Sequence, residues 1–265
     1  MDKIVAGIDI GSTTAKCLLL NDKKEIIAFE KLLTSYDRNE CGQLILEKAL
    51  NAVNMTRENV EYMISTGYGR RSMDGVDDTL PEIICHATGT VFLIPTVRTI
   101  LDIGGQDSKA IGIDEDGYIE RFEMNDKCAA GTGRFFEVLA GKLLGTDIDE
   151  LGRLSLEADN PPTISSMCTI FAETEIISMM SEGVSRKNII AGMNYAVAKR
   201  VYSMAKRSLG NLKSDIVFTG GVANSPGMVK AFEDLINKPV LTLDNPQITA
   251  ALGAALAAYD VVNKK

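Results

Sequence analysis

Short apolar runs alternate with clusters of turn-forming residues over the first third of the chain, and this pattern predicts strands followed by helices. The turns between the first three runs, GSTT and NDKK, are rich in residues that favour tight turns. The predicted elements are strands at Ile4–Asp9, Ala15–Leu20 and Glu25–Leu32, a helix at Asn39–Asn54, a strand at Tyr62–Thr66 and a helix at Leu80–Phe92.

The same order of elements returns after Pro95. The predicted elements are strands at Thr99–Ile103, Lys109–Asp114 and Tyr118–Met124, helices at Thr132–Leu144, Thr169–Ser181 and Lys187–Leu209, a strand at Asp215–Thr219, a helix to Ile236, a strand at Val240–Leu243 and a last helix from Gln247. This duplication predicts two α/β lobes with a cleft between them. We expect the first lobe to be 1–95 and the second 96–246, with the helix at about 247–265 packing back on the first.

Composition narrows the class of protein. The chain has 265 residues, and its apolar fraction of 45% favours a globular protein over a disordered one. Its formal net charge of −8 argues against binding to nucleic acid or to an anionic membrane. No apolar run approaches the ~20 residues of a membrane span, and the N-terminus does not resemble a secretory signal. We therefore expect a cytoplasmic protein that binds neither membranes nor nucleic acid.

The cysteines and the single histidine limit the chemistry. Five cysteines at irregular spacing suit free thiols in a reducing compartment rather than disulfides. His86 is the only histidine, which excludes a multi-histidine metal site. We expect Cys17, Cys41 and Cys85 to be core residues.

Three glycine turns, in GIDIGSTTAK, LDIGGQDSK and FTGGVANS, each follow a predicted strand. Glycine permits positive φ angles and lets backbone N–H groups approach an anion, while Ser12, Thr13 and Thr14 add hydroxyl donors. Asp9 and Asp102 would repel a bare phosphate, so their presence indicates a cation, and Mg²⁺ with retained waters fits best. The chain lacks the P-loop and dinucleotide-binding sequence patterns.

At this point the motifs resemble known families. GIDIGSTTAK, LDIGGQDSK and TGGVA are similar to the two phosphate segments and the adenosine segment of the actin, sugar-kinase and heat-shock-chaperone ATPase superfamily. More narrowly, TGYGR, DIGGQDSK, MNDKCAAGTGRF and SSMCTIFAETEIIS resemble the activator component of 2-hydroxyacyl-CoA dehydratases, an iron–sulfur ATPase family related to the benzoyl-CoA reductase ATPase subunits. The resemblance covers nearly the whole chain and implies a two-lobed actin-like (ribonuclease H-like) α/β fold.

The resemblance also implies roles for individual residues. Asp9 would hold Mg²⁺ through water, and Asp102 would orient or deprotonate the attacking water with Gln106 beside it. Gln106 and Asp107 stand where the chaperones have a glycine and a threonine, so the hydrolytic role of Gln106 stays open. The residues expected to contact ATP or ADP are Gly11, Ser12, Thr13, Thr14, Lys16, Gly104, Gly105, Asp107, Lys109, Gly131, Thr132, Gly220, Gly221, Val222 and Ala223.

Cys128 and Cys168 each precede a predicted helix, where the positive end of the helix dipole favours a thiolate. Cubane clusters take four thiolates, and one chain offers two at matching positions. This arithmetic suggests a homodimer that holds one [4Fe-4S] cluster between two chains, as the resemblance also implies. Zinc bound by the same four cysteines stays open as an alternative.

The function implied is that of an ATP-dependent one-electron donor to a 2-hydroxyacyl-CoA dehydratase in an anaerobe, itself reduced by ferredoxin or flavodoxin. Three alternatives remain: an ATPase that activates a related low-potential reductase or double-cubane-cluster protein, a small-molecule kinase of the same fold, and a regulatory nucleotide sensor. The acyl-CoA is bound by the partner enzyme, so this sequence does not name it.

Overall fold

Two five-stranded sheets with the same strand order form the frames of the protein. A computed structural model describes residues 3–129, 131–139, 148–165 and 168–263. The chain divides into two units. The first contains Met1–Thr96, Asp116–Ile119 and Gln247–Lys265, and the second contains Val97–Glu115 and Glu120–Pro246.

The first sheet has the order β3-β2-β1-β4-β5. Its strands are β1 (Ile4–Ile10), β2 (Thr14–Leu20), β3 (Ile26–Leu33), β4 (Val60–Thr66) and β5 (Asp78–Thr79). The central strand β1 pairs antiparallel with β2 and parallel with β4, and all seven of its residues are buried. A strand covered on both faces needs a continuous apolar run, which is why the sequence here does not alternate.

Helices cover this sheet, and they are α1 (Arg38–Ala52), α2 (Glu82–Leu93) and α8 (Thr249–Asn263). The Asp37 side chain caps α1 by accepting the Glu40 N–H at 3.0 Å. Helix α8 packs on α2, β1 and β4 through small residues. A Cβ atom on Gly253 would overlap the Cys85 carbonyl, and one on Gly7 would overlap the Ala251 carbonyl. These backbones therefore approach more closely than any larger residue permits.

The second sheet has the order β10-β9-β6-β7-β8. Its strands are β6 (Thr99–Ile103), β7 (Ser108–Ile113), β8 (Ile119–Asn125), β9 (Ile216–Thr219) and β10 (Val240–Thr242). The central strand β6 pairs antiparallel with β7 and parallel with β9, so it repeats the pairing of β1. The helices of this unit are α3 (Gly133–Leu139), α4 (Ile148–Leu156), α5 (Thr169–Ser181), α6 (Arg186–Leu209) and α7 (Pro226–Ile236).

Most predicted strands and helices agree with the structure to within two residues at each end, and the main differences concern α3, α4 and β5. Helix α3 begins at Gly133 rather than Thr132, because the N–H and hydroxyl of Thr132 both donate to the Ala129 carbonyl and form a turn. Residues 140–144 of that predicted helix lie outside the described residues. Helix α4 and the two-residue strand β5 were not predicted. Gly152 interrupts the apolar pattern of α4 but permits close approach to Pro226, the first residue of α7.

Short 3₁₀ turns complete the framework at Arg57–Asn59 and Gly221–Asn224. No helix within the described ranges is long and apolar enough to cross a membrane.

We expect Gly253→Ala to lower the free energy of unfolding by about 1–3 kcal/mol, because the new methyl group meets the rigid Cys85 backbone. Gly42→Ala is the matched control, since it also lies inside a helix but faces the flexible end of Met73. The control should change stability by less than about 1 kcal/mol. Urea unfolding followed by circular dichroism measures the free energy of unfolding of both variants. Equal losses of stability would show that the contact of α8 with the Cys85 backbone is no tighter than the contact of Gly42 with Met73.

Candidate functional site

The first predicted phosphate segment is built around a largely buried ion pair. Asp9, near the end of β1, lies directly opposite Lys16 on β2, so the two side chains share one face of the sheet. Lys16 Nζ lies 2.9 Å from Asp9 Oδ2, and the side chains are 12% and 9% exposed, respectively. Burying the carboxylate without a cation would be costly, and Lys16 provides the compensating charge.

The turn after β1 is fixed by backbone hydrogen bonds. The Gly11 N–H donates to the Thr14 carbonyl at 3.1 Å, and the Thr34 N–H donates to the Thr13 carbonyl at 2.9 Å. The Thr34 hydroxyl also donates to the Gly11 carbonyl at 2.9 Å. Gly11, Ser12, Thr13 and Thr14 are half-buried and therefore remain reachable from solvent. A turn that is held in place and has reachable hydroxyl groups is better suited to binding an anion than a flexible turn is.

The TGYGR motif packs against this segment, although no role beyond family resemblance was predicted for it. Gly67 has a φ of +85°, and a Cβ atom there would overlap Asp9 Oδ1. The Gly69 N–H donates to the Ile10 carbonyl at 2.8 Å. Thr66, which precedes Gly67, pairs with Asp9 across β1 and β4. A Thr-Gly pair at the end of a strand, present again at Thr219 and Gly220, is the signal that could have identified this contact.

The second predicted phosphate segment repeats the same frame. Asp102 on β6 lies opposite Lys109 on β7, and their side chains are almost fully buried. Lys109 Nζ lies 3.2 Å from Asp102 Oδ2 and 2.8 Å from Asp107 Oδ2. The Gly104 N–H donates to the Asp107 carbonyl at 2.9 Å and closes the turn, while Gln106 is exposed within it. One lysine therefore serves two carboxylates.

The GTGR stretch that follows Cys128 is tied to this second turn. The Gly133 N–H donates to the Gly104 carbonyl and the Arg134 N–H donates to the Gly105 carbonyl, both at 2.8 Å. Gly131, with a φ of +122°, and Thr132 are both buried. Backbone displacement at the turn would therefore be transmitted to the start of α3.

The predicted adenosine segment follows β9. Gly220 has a φ of +88°, and a Cβ atom there would overlap the Ile103 carbonyl and lie 3.0 Å from Asp102 Oδ1. The segment continues through Gly221 into the short 3₁₀ turn. Val222 and Ala223 are 5% exposed and belong to the core of this unit. These two residues therefore offer little surface to a nucleotide.

The two cysteines proposed as ligands differ in their local structure. Cys168 is the N-cap residue of α5, as expected from its position before Thr169. Cys128 lies five positions before the first residue of α3, one position more than predicted. The Cys128 carbonyl accepts a hydrogen bond from Asn125 Nδ2 at 2.9 Å. Both cysteines are half-buried free thiols.

The other three cysteines are buried, as predicted. Burial raises the pKa of the Cys85 thiol to about 12. Burial is also the main cause that raises the pKa of the Cys17 thiol, and the nearby Glu30 carboxylate raises it further. A thiol that resists deprotonation is a poor metal ligand. Cys128 and Cys168 are therefore the better candidates.

A cavity of about 690 Å³ in the second unit joins the segments of these two cysteines. Residues 125–127, directly before Cys128, line part of it, and residues 163–165, before Cys168, line another part. The Glu175 carboxylate accepts hydrogen bonds from the Ser165 N–H and hydroxyl at 3.0 and 3.1 Å, which ties that segment to α5. The fold thus places both segments on one side of the second unit.

A metal cluster fits this donor set only in part. Among the described residues, no group of three or more histidine, cysteine, aspartate or glutamate side chains could hold a metal ion. Two reachable thiols have the right chemistry for iron or zinc, but they are half of the four that a cubane cluster takes. The residues therefore fit the cluster if a second copy of the chain supplies the other pair.

Comparisons with known proteins support the family resemblance that the sequence motifs indicate. The chain is 48% identical over 260 residues to the activator of lactoyl-CoA dehydratase from Anaerotignum propionicum, with 98% of each chain covered. The structure of the activator of the 2-hydroxyisocaproyl-CoA dehydratase from Clostridium difficile, solved with bound ADPNP, matches with a TM-score of 0.93 and 43% identity, covering 98% of this chain and 96% of that one. A ROK hexokinase from Thermus thermophilus has a TM-score of 0.51 at 16% identity, over 99% of this chain and all of its own, and shows the fold alone.

These matches confirm the predicted fold class and the resemblance to dehydratase activators. The family described as the BadF/BadG/BcrA/BcrD ATPase family matches residues 6–258. Because that match spans nearly the whole chain and includes both phosphate segments and both half-buried cysteines, the protein belongs to the BadF/BadG/BcrA/BcrD ATPase family.

Proposed function

We propose that this protein is an ATP-dependent one-electron donor that activates a 2-hydroxyacyl-CoA dehydratase. The observation that carries the proposal is the combination of duplicated Asp–Lys phosphate segments with two half-buried cysteines in one chain. Relatives named as dehydratase activators, matched over 98% of this chain, support the same function. A small-molecule kinase would not need the two cysteines.

The two units would be the two lobes of the ATPase, with residues 1–95 and the helix at 247–265 in the first and 96–246 in the second. In the first, Asp9 would hold Mg²⁺ through water, while Lys16 and the turn from Gly11 to Thr14 would contact phosphate oxygens. The reachable hydroxyls of that turn and the buried Asp9–Lys16 pair support these roles.

In the second unit, Asp102 would orient the attacking water or accept its proton. Gly104, Gly105, Gln106 and Asp107 would lie near the γ-phosphate, with Gln106 exposed in the turn. The remaining nucleotide contacts would come from Lys109, Gly131, Thr132 and the backbone of residues 220–223. The buried position of Lys109 between two carboxylates suits a role in holding the turn in place.

Cys128 and Cys168 from each of two chains would hold one [4Fe-4S] cluster in a homodimer. When bound, the cluster would supply a centre that accepts and donates one electron. Helix α5 begins directly after Cys168 and exposes Ile170, Phe171 and Ile177. Apolar side chains exposed beside the thiol support contact with a second chain at this place.

The partners would be reduced ferredoxin or flavodoxin as electron source and the iron–sulfur dehydratase as acceptor, in the cytoplasm of an anaerobe. All five cysteines are free thiols, which suits a reducing compartment. The backbone bonds from Gly133 and Arg134 to the second phosphate turn offer a direct route from the nucleotide to the Cys128 segment. ATP could then bias two arrangements of the cysteines.

We expect Cys168→Ser to lose most of the bound iron while ADPNP binding is retained, because a serine hydroxyl does not replace the thiolate. Anaerobic purification with an iron assay should give about two iron atoms per chain for the wild type. Cys41→Ser is the control, since it makes the same substitution at a cysteine buried in the core of the first unit. Full iron content in Cys168→Ser would refute the ligand role, and a colourless wild type containing zinc would indicate the alternative metal.

We expect Asp102→Asn to lower ATP turnover by about 10²–10⁴-fold, because the amide neither accepts a proton nor carries the charge of the carboxylate. ADPNP binding, measured by calorimetry, should change much less. Asp159→Asn is a suitable control, because that carboxylate is exposed and paired with Lys187 away from the phosphate segments. Turnover at the wild-type rate in Asp102→Asn would exclude Asp102 from the chemistry.

A further inference from the structure

We infer that Thr219 is a positioning residue for ATP hydrolysis, whose hydroxyl holds the Asp102 carboxylate in the orientation needed to direct water. This inference rests on the proposed function, since it assumes that Asp102 acts on the attacking water. It adds a residue from β9, which lies outside the turns that carry the phosphate motifs.

The Asp102 carboxylate is held from both neighbouring strands. Thr219 on β9 and Lys109 on β7 both pair with Asp102, so all three side chains lie on the same face of the sheet. The Thr219 hydroxyl donates to Asp102 Oδ1 at 2.8 Å, and Lys109 Nζ donates to Oδ2 at 3.2 Å. Each oxygen thus has a donor on its own side, and rotation of the carboxylate would break both bonds.

All three side chains are buried, which limits their motion and favours a single orientation of the carboxylate. Thr219 is 0% exposed, Asp102 is 1% exposed and Lys109 is 2% exposed. Gly220 directly follows Thr219, and a Cβ atom there would lie 3.0 Å from the same Asp102 Oδ1. These two bonds give each Asp102 oxygen at least one donor. A water bound to Asp102 would therefore meet a carboxylate whose plane is already set.

The equivalent frame in the first unit has a different hydrogen bond. Thr66 pairs with Asp9 as Thr219 pairs with Asp102, and each threonine precedes a glycine with positive φ. The Thr66 hydroxyl, however, donates to the Leu80 carbonyl at 2.9 Å. A hydroxyl has a single hydrogen to donate, so Thr66 does not hold Asp9 in this way.

This difference agrees with the separate roles proposed for the two aspartates. A carboxylate that holds Mg²⁺ through water can adjust to the cation's hydration shell. A carboxylate that directs a nucleophile gains from a fixed orientation, because small displacements of reacting groups slow the reaction strongly. We therefore assign the hydrogen bond from the Thr219 hydroxyl to Asp102 a role in hydrolysis rather than in folding alone.

The test compares Thr219→Val, Thr219→Ser and Thr66→Val in the full-length protein, with ATP turnover measured under steady-state conditions. Loss of one hydrogen bond to a charged group predicts a fall in kcat of about tenfold to a hundredfold in Thr219→Val, with KM for ATP within about twofold. Thr219→Ser keeps the hydroxyl and should retain at least about half of the wild-type kcat. Thr66→Val removes an equally buried threonine hydroxyl and should lower kcat far less.

Thermal melting and ADPNP binding verify that each variant is folded, and Thr219→Ala makes the same comparison should Thr219→Val not fold. The inference is overturned by a Thr219→Val kcat within about twofold of wild type, by a serine variant as slow as the valine variant, or by equal losses at Thr219 and Thr66. A wild-type protein that does not hydrolyse ATP at all would refute the proposed function instead. Normal wild-type turnover with an unaffected Thr219→Val refutes only the role of Thr219.

Discussion

A carboxylate buried at the end of a central strand must have a cation beside it, and in each sheet the adjacent strand supplies a lysine at the opposing position. Lys16 meets Asp9 at 2.9 Å, and Lys109 meets Asp102 at 3.2 Å. Leaving either aspartate uncompensated would cost several kcal/mol, so a one-residue change of register between these strands is strongly disfavoured. The register in turn fixes where each phosphate turn begins and which backbone groups it presents.

The second turn has a further constraint, because it is bonded to the segment that carries Cys128. Gly133 and Arg134 donate to carbonyls of Gly104 and Gly105, and a Cβ atom on Gly133 would lie only 3.0 Å from the Gly104 oxygen. A larger residue at position 133 would push the two backbone segments apart. The turn that is expected to respond to phosphate therefore has a rigid backbone connection to the cysteine segment, whereas coupling through flexible side chains would be weaker.

Much of this arrangement could be predicted from the sequence, since strand periodicity and the spacing from aspartate to lysine are local. The seven-residue separations of Asp9 from Lys16 and of Asp102 from Lys109 identify both hairpins. The contact between Thr219 and Asp102 could not be predicted in this way, because it joins residues 117 positions apart through the pairing of β6 with β9. The start of α3 was predicted one residue too early, because the N–H and hydroxyl of Thr132 donate to the Ala129 carbonyl instead of continuing a helix.

Duplication of the frame allows the two proposed roles of aspartate to differ between the units. Both units place an aspartate, a lysine and a threonine on one face of the sheet, and both place a positive-φ glycine after the threonine. What differs is the acceptor of one hydroxyl hydrogen, which is a carbonyl in the first unit and the carboxylate in the second. Because Leu80 lies just after β5, the short strand beside β4 decides which acceptor Thr66 meets. A small change at the edge of one sheet can therefore separate a carboxylate suited to a hydrated cation from one suited to a nucleophile.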